Sequence, residues 1–209
     1  LRQSAAPAPI LSLDTVSFAD HARFYDPEDV DTLEAGEGSL EAISVQEVAG
    51  AKQLTAAYSF PPGIRAVFSA ELPDGSTVAS LRLRVEAPRP LRPSEAMRIP
   101  RVHFPALTGL RVGDAGEDDA LATGMVQGEL RRNPAADLPA ERTLQYPGRA
   151  CLPWQDLSDG SGGLFLLPQA DGTCQLEIVT GAREGLIDMG YRWWSLLEPG
   201  ETWESPVVE

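Results

Sequence analysis

The sequence predicts an all-β protein, a two-layer antiparallel β-sandwich with few short helices. Its 209 residues include 19 glycines and 18 prolines, which indicates many turns between short elements. Apolar and polar residues alternate in several segments, as they do in strands with one buried face. The sequence contains no heptad, internal repeat or long amphipathic helix. Together these observations favour sheets over helices.

The chain is long enough for one substantial core, and β-sandwiches of this size are commonly single domains. Residues 1–9, LRQSAAPAP, are small, polar and proline-containing, which predicts a flexible lead-in. A single β-sandwich domain is expected over residues 10–209. Because the chain starts with Leu1 instead of Met and ends on strand-like residues, we expect it to be a fragment of a longer chain.

In the first half, residues 10–18 predict an initial strand. The acidic stretch 21–38 predicts a solvated loop or a short helical turn. Residues 40–48 and 53–60 are compatible with strands.

The strongest local signal is a hairpin between residues 64–72 and 77–85. Both runs place small or apolar side chains at every second position, and Asp74-Gly75 lies between them. Glycine accepts the positive φ that tight hairpin turns require. Arg65, Arg82 and Arg84 are then expected on the opposite, wetter face.

The second half supplies further strands. Residues 99–110 contain prolines and predict a buried edge strand or connecting strand. Residues 164–167 are apolar at every position, which predicts a strand covered on both faces and deep in the fold. The other strand candidates are residues 121–130, 174–179, 186–197 and 202–208.

Two cysteines are expected to remain free thiols. If Cys151 and Cys174 lie on the first and third strands of one meander, their Cα atoms are roughly 9.6 Å apart at ~4.8 Å per strand. A disulfide tolerates only ~4.4–6.8 Å between Cα atoms.

The formal net charge of −14 argues against nucleic acid and against anionic membrane surfaces as partners, and leaves neutral partners such as sugars. No apolar run approaches the ~20 residues of a membrane-spanning helix. No signal-peptide pattern is visible, and the compartment, cytoplasmic or exported, stays open.

Motifs for catalysis, metals and cofactors are absent from the sequence. His21 and His103 are its only histidines, there is no G-x-S-x-G elbow, and Ser161 lies in a turn signal. Three-histidine zinc chemistry is excluded by count, and no phosphate-binding glycine loop precedes a helix. No cofactor or metal is therefore expected. Acidic residues near aromatics, such as Asp156, could pair for glycoside hydrolysis, but such pairs are expected by chance in so acidic a chain.

Aromatic residues give a softer indication. Trp154, Tyr191, Trp193 and Trp194 fall in the last third of the chain, and an exposed ring can hold a sugar by apolar contact. Trp193 and Trp194 are adjacent, so in a strand they point to opposite faces. Either both are covered within the protein, or one faces solvent, a partner domain or a ligand.

Five segments form an ordered set: VHFPALTGL from Val102, GELRRNP from Gly128, YPGRACLPWQDL from Tyr146, GGLFLL from Gly162 and LEPGETW from Leu197. Over residues 60–209, this set resembles the amino-terminal β-sandwich of large bacterial glycoside hydrolases. Relatives often carry Met and Gln before the tryptophan, where this chain has Leu152-Pro153-Trp154-Gln155.

The resemblance implies a sandwich similar to the galactose-mutarotase supersandwich, followed by a (β/α) barrel that holds the catalytic carboxylates. It implies a non-catalytic domain that packs on the barrel of the same parent chain. The parent chain would be a soluble bacterial enzyme. The domain would contribute a wall of the carbohydrate cleft. The candidates for contact with carbohydrate or barrel are Trp154, Asp156, Tyr191, Trp193 and Trp194.

Two alternatives from other classes stay open. A free-standing carbohydrate-binding module would bind a glycan through exposed aromatics such as Trp154 and Trp194. A mutarotase-like or lyase enzyme acting on sugars would need His21 or His103 beside a carboxylate in a concave sheet face.

Overall fold

Antiparallel strands form nearly all of the secondary structure, so the all-β prediction is confirmed. The structure is a computed structural model, and it describes residues 2–3, 11–17, 31–34, 37–92, 97–113, 116–170 and 174–209. Within these ranges one short α-helix occurs, with Pro134 in its first turn, where no backbone N–H is needed. In the same ranges, no helix has the length and apolar character needed to cross a membrane.

The elements in chain order are β1 Arg2–Gln3, β2 Ser12–Ser17, β3 Asp31–Glu34, β4 Ser39–Val48, β5 Ala51–Phe60, β6 Ile64–Pro73, β7 Ser80–Glu86, β8 Met97–Arg111, β9 Ala120–Met125, β10 Glu129–Arg132, α1 Pro134–Asp137, β11 Arg142–Tyr146, β12 Ala150–Ser158, β13 Gly163–Leu166, β14 Leu176–Arg183, β15 Leu186–Leu197 and β16 Thr202–Glu204.

Contacts between residues divide the chain into two units. Unit 1 takes in Phe104–Trp193, β1 and the last two residues, and unit 2 takes in Leu11–His103 and Trp194–Val207. The long strands β8 and β15 contribute residues to both units. The single domain expected over residues 10–209 and the flexible lead-in of residues 1–9 stay predictions.

Unit 1 is a sandwich of two antiparallel sheets. One has the strand order β10-β9-β12-β13, and the other has the order β11-β14-β15-β8 with β1 beside β8. The two layers are joined by the Gln155 Nε2, which donates to the Gly190 carbonyl at 2.7 Å, and by the Tyr191 hydroxyl, which donates to the Leu166 carbonyl at 2.9 Å. Both donors lie in the buried space between the sheets.

Unit 2 contains a five-stranded antiparallel sheet of order β16-β7-β6-β5-β4 and the strands β8-β2-β3. The predicted hairpin of β6 and β7 is confirmed, with Gly75 at φ +74° in its turn and Glu71 opposite Ser80. Its arginines lie on the exposed side, as predicted. The buried residues on its other side are Ile64, Ala66, Phe68, Leu83 and Val85.

The apolar run 164–167 was predicted to be covered on both faces, and this was wrong. The strand in this run, β13, is the last strand of its sheet, and Phe165 is 50% exposed. The following strand, β14, belongs to the other sheet of unit 1, so Cys151 and Cys174 do not lie on one meander. Neither Cys151 nor Cys174 forms a disulfide, as expected.

Two further strand predictions need correction. Of the two alternatives for residues 99–110, the edge strand is wrong, because β8 lies between β15 and β2. The pairing of β2 with β8 shifts register opposite residues 98–101, and such a bulge accommodates Pro100, which has no N–H to donate. The segment 121–130 is a hairpin of β9 and β10, turned by Gln127 and Gly128, both at φ 73°.

The acidic stretch 21–38 also differs from its prediction, since β3 occupies residues 31–34. Residues 21–30, including His21, lie outside the described residues.

Candidate functional site

The outward side of β12 in unit 1 brings together two of the predicted contact residues. Pro153, Gln155 and Leu157 are buried in the sandwich. Because successive side chains of a strand point to opposite faces, Trp154 and Asp156 point outward, and both are partly exposed. The buried neighbours therefore fix the direction of the two candidate side chains.

Trp154 belongs to an aromatic pair. Its ring stacks on that of Phe165 with centroids 6.0 Å apart and planes at 29°. In the sheet register, Asp156 lies between Phe165 on β13 and Ala122 on β9. Ala122 in turn lies opposite Leu130 on β10, and Leu130 is 61% exposed. We call Leu130, Trp154, Asp156 and Phe165 the aromatic face.

The aromatic face combines exposed rings with one carboxylate. Asp156 accepts a hydrogen bond from the Ser158 hydroxyl at 3.3 Å. A flat ring offers apolar contact to the CH face of a sugar or to another domain, and a neighbouring carboxylate accepts hydrogen bonds from hydroxyl groups. The arrangement can bind a ligand or a partner surface.

The loop between β12 and β13 is held by Asp159. Its Oδ1 accepts hydrogen bonds from the Ser161 N–H at 2.6 Å, the Ser161 hydroxyl at 2.8 Å and the Gly162 N–H at 2.9 Å. These bonds lower the pKa of the Asp159 carboxyl, because they favour its charged form. At Gly163, an added Cβ would lie 2.6 Å from the Ser158 Cβ, so only glycine fits where β13 begins. The loop thus holds β13, and with it Phe165, beside β12.

Tyr191 and Trp193 are core residues of unit 1, with 1% and 2% exposure. Their ring centroids are 5.9 Å apart, and the Trp193 Nε1 donates to the Phe104 carbonyl at 2.5 Å. Burial raises the pKa of the Tyr191 hydroxyl. Contact of these two residues with carbohydrate or with a barrel stays a prediction.

Trp194 lies in unit 2 and is partly exposed, on the face of β15 opposite to that of Trp193, as predicted. Its contact with a ligand or partner stays a prediction. His103 lies on β8 and is also partly exposed.

A charged cluster supports β10 on the side away from Leu130. Glu129 accepts from Arg142 Nη1 at 2.8 Å, Arg131 Nε at 2.8 Å and the Thr123 hydroxyl at 3.2 Å. Partial burial opposes ionisation of Glu129, but the bonds and charges of the two arginines outweigh it and lower its pKa.

No group of three or more His, Cys, Asp or Glu side chains within the described ranges could hold a metal ion. Sequence reasoning missed Phe165 and Leu130 as surface residues. A usable signal was the shortness of the apolar run 164–167, since short strands are typical of sheet edges.

Comparison with known proteins gives matches by structure. The sequence matches no protein-family model and no curated protein. The fold matches the α-galactosidase from Lactobacillus brevis with a TM-score of 0.62 and 12% identity, over 94% of this chain and 28% of that one. It matches the galactosidase domain of the α-galactosidase–sucrose kinase AgaSK with a TM-score of 0.62 and 11% identity, over 94% of this chain and 29% of that one.

The matched part is the amino-terminal portion of these α-galactosidases, where a β-supersandwich precedes the barrel. This chain has the β-supersandwich fold. It spans less than a third of either matched chain, and in both proteins the supersandwich sits within a larger polypeptide.

Proposed function

We propose that this chain is the non-catalytic amino-terminal supersandwich of a glycoside hydrolase, that it packs on a catalytic barrel of the same polypeptide, and that it shapes the carbohydrate cleft. The observation that carries the proposal is the match over 94% of this chain to only 28% of an α-galactosidase. Glycoside hydrolysis needs a pair of positioned carboxylates, and we infer from the family resemblance that they lie in the barrel.

The aromatic face is the surface proposed for that contact. Monomeric proteins bury most large aromatic side chains, whereas Phe165 is 50% exposed and Leu130 is 61% exposed on the same outward side. Trp154 adds a stacked ring, and Asp156 adds a hydrogen-bond acceptor. Such a mixture suits the rim of a sugar cleft, where one part of the surface meets protein and another meets hydroxyl groups.

The contact can be tested by hydrogen exchange on the polypeptide in its native length, which is the longer chain proposed to include the barrel. Backbone amides of 150–158 and 163–166 should exchange more slowly in that polypeptide than in the 209-residue chain, because a packed partner covers them. Amides of 64–73 serve as an internal reference within unit 2. Equal exchange of the aromatic face in both proteins would contradict the proposed packing.

Kinetics of the same polypeptide test the role in the cleft. Trp154→Ala should raise the KM for a chromogenic α-galactoside by about tenfold with kcat nearly unchanged, because the ring contributes equally to ground-state and transition-state binding. Val126→Ala, which removes an exposed aliphatic side chain in the β9–β10 turn, is the matched control. Unchanged KM for Trp154→Ala would remove the aromatic face from the cleft.

A further inference from the structure

A hollow on the outward side of the five-stranded sheet in unit 2 has a chemistry different from that of the aromatic face. Its volume is about 220 Å³, and it is lined by three neighbouring strands, β5, β6 and β7. We call it the polar groove. The side chains that line it are Gln53, Thr55, Ser69, Glu71, Ser80 and Arg82.

The register explains why these six side chains converge. Gln53 lies opposite Glu71, and Glu71 lies opposite Ser80. In the adjacent row Ser69 lies between Thr55 and Arg82. Residues directly opposite in antiparallel strands point to the same face, so both rows project outward.

Side-chain size explains why the surface is hollow. The short residues Thr55, Ser69 and Ser80 alternate with the longer Gln53, Glu71 and Arg82, and the backbone of Leu54 and Ala70 completes the lining. The volume is below the roughly 300–1,000 Å³ of clefts for drug-sized ligands. A ligand of one small ring is therefore the largest that the groove can enclose.

The polar groups of the groove are arranged with spare hydrogen-bonding capacity. Gln53 Nε2 donates to Glu71 Oε2 at 2.8 Å, which positions the carboxylate. On the same outward side, Arg65 and Arg84 form ion pairs, whereas Arg82 forms none with the residues that the structure describes. The guanidinium of Arg82 is thus available to a ligand.

Charge and donor pattern define the ligand class. One carboxylate and one guanidinium leave the groove close to neutral, in a chain of net charge −14 that repels anions. Neighbouring hydroxyls of a sugar can donate to Glu71 and accept from Arg82, while three protein hydroxyls can do either. We propose that the polar groove binds a neutral monosaccharide or the terminal residue of a glycan.

This site goes beyond the proposed function, because it lies in unit 2 and involves no residue of the aromatic face. None of the described residues that line it is aromatic, so binding there depends on directed hydrogen bonds to exposed groups. The expected dissociation constant is on the order of 1 mM.

Amide NMR of the full 209-residue chain, titrated with methyl α-galactoside and methyl α-glucoside, tests the site. Saturable shifts are expected at 53–55, 69–71 and 80–82 with at least one of the two sugars. Arg82→Ala should weaken binding by about tenfold, and Ser69→Leu, which fills the centre, should abolish it. The control is Arg84→Ala, because Arg84 lies on the same strand and face as Arg82 but outside the groove. This variant should bind the sugar like the unchanged protein.

Several outcomes of the titration would overturn the proposal. They are the absence of saturable shifts with both sugars, equal binding by the Ser69→Leu variant, equal binding by the Arg82→Ala variant, and saturable binding of inorganic phosphate at these amides in place of sugar. Far-ultraviolet circular dichroism verifies that each variant retains its sheets. Binding that is lost only in Trp154→Ala would also overturn it, because that result assigns the sugar to the aromatic face.

Discussion

The outward side of the four-stranded sheet in unit 1 presents a stacked Trp154–Phe165 pair, whereas the outward side of the five-stranded sheet in unit 2 presents hydroxyls, an amide, a carboxylate and a guanidinium. Rings supply contact area with little directional preference, while hydroxyls supply directed bonds and little area. The first surface therefore suits a broad partner, and the second suits one small polar ligand. The same kind of sheet supports both because only every second residue is needed for the core.

The largest expected effect comes from the buried side of the strands that form the polar groove. Phe68 is 4% exposed and lies on β6 beside the groove residue Ser69, pointing the other way. Phe68→Ala should lower the free energy of unfolding by about 3–5 kcal/mol, because it leaves a cavity. Urea unfolding of the 209-residue chain measures the loss. Phe165→Ala on the aromatic face is the control and should cost about 1 kcal/mol, since its ring is half exposed; equal costs would contradict the assignment of faces.

The second effect concerns the support of Leu130 in the aromatic face. Glu129→Ala removes the acceptor for Arg142, Arg131 and Thr123, and should lower the free energy of unfolding by about 1.5–3 kcal/mol. In the unchanged protein the pKa of Glu129 is lowered on folding, so its contribution is present above the ordinary pKa and is lost as pH falls through the folded value. Between pH 7 and pH 3, the free energy of unfolding should fall less for the variant than for the unchanged protein.

An exposed ion pair provides the control for Glu129. Arg84 and Glu204 approach to 3.9 Å with side chains 52% and 66% exposed. Glu204→Ala should change the free energy of unfolding by no more than about 0.5 kcal/mol, because solvent screens such pairs. A cost similar to that of Glu129→Ala would mean that burial does not distinguish the two carboxylates.

A smaller effect is expected at Asp119 in unit 1, which is 1% exposed. Burial raises the pKa of the Asp119 carboxyl, although the Val112 N–H donates a hydrogen bond to it. Because the pKa is higher in the folded state, the folded state loses stability as pH rises from the ordinary pKa through the folded one. Asp119→Asn keeps an acceptor for Val112 and removes the titration. Measured by thermal unfolding, the stability of the variant relative to the unchanged protein should therefore be higher at pH 7 than at pH 4. An identical pH dependence in the two proteins would contradict this.

The hairpin of β6 and β7 could be predicted because its signals are local: period-two alternation on both sides of Asp74-Gly75, with arginines on the wet face. The position of β13 could not be predicted in the same way. Four consecutive apolar residues fit a central strand, but the partner strand on each side is a long-range property, and β13 has β12 on one side only. The same limit applied to β8, whose prolines suggested an edge although it lies between two strands.

The candidate sites followed the same division. Trp154 and Asp156 could be selected as candidates because aromatic and acidic residues stand out in sequence, and strand alternation fixes their common face. Their contact with a ligand or partner stays a prediction. Tyr191 and Trp193 carry the same sequence signal but lie inside unit 1, where the facing sheet covers them. The polar groove could not be predicted, because Ser, Thr and Gln are common on exposed strands and only the register brings these six together.

The most direct test of the central proposal, that catalysis lies outside this chain, is a hydrolysis assay with a chromogenic α-galactoside. The polypeptide in its native length should hydrolyse the substrate, and the purified, folded 209-residue chain should show no activity above the buffer rate. Turnover by the 209-residue chain alone, or its absence from the native-length polypeptide, would contradict the account.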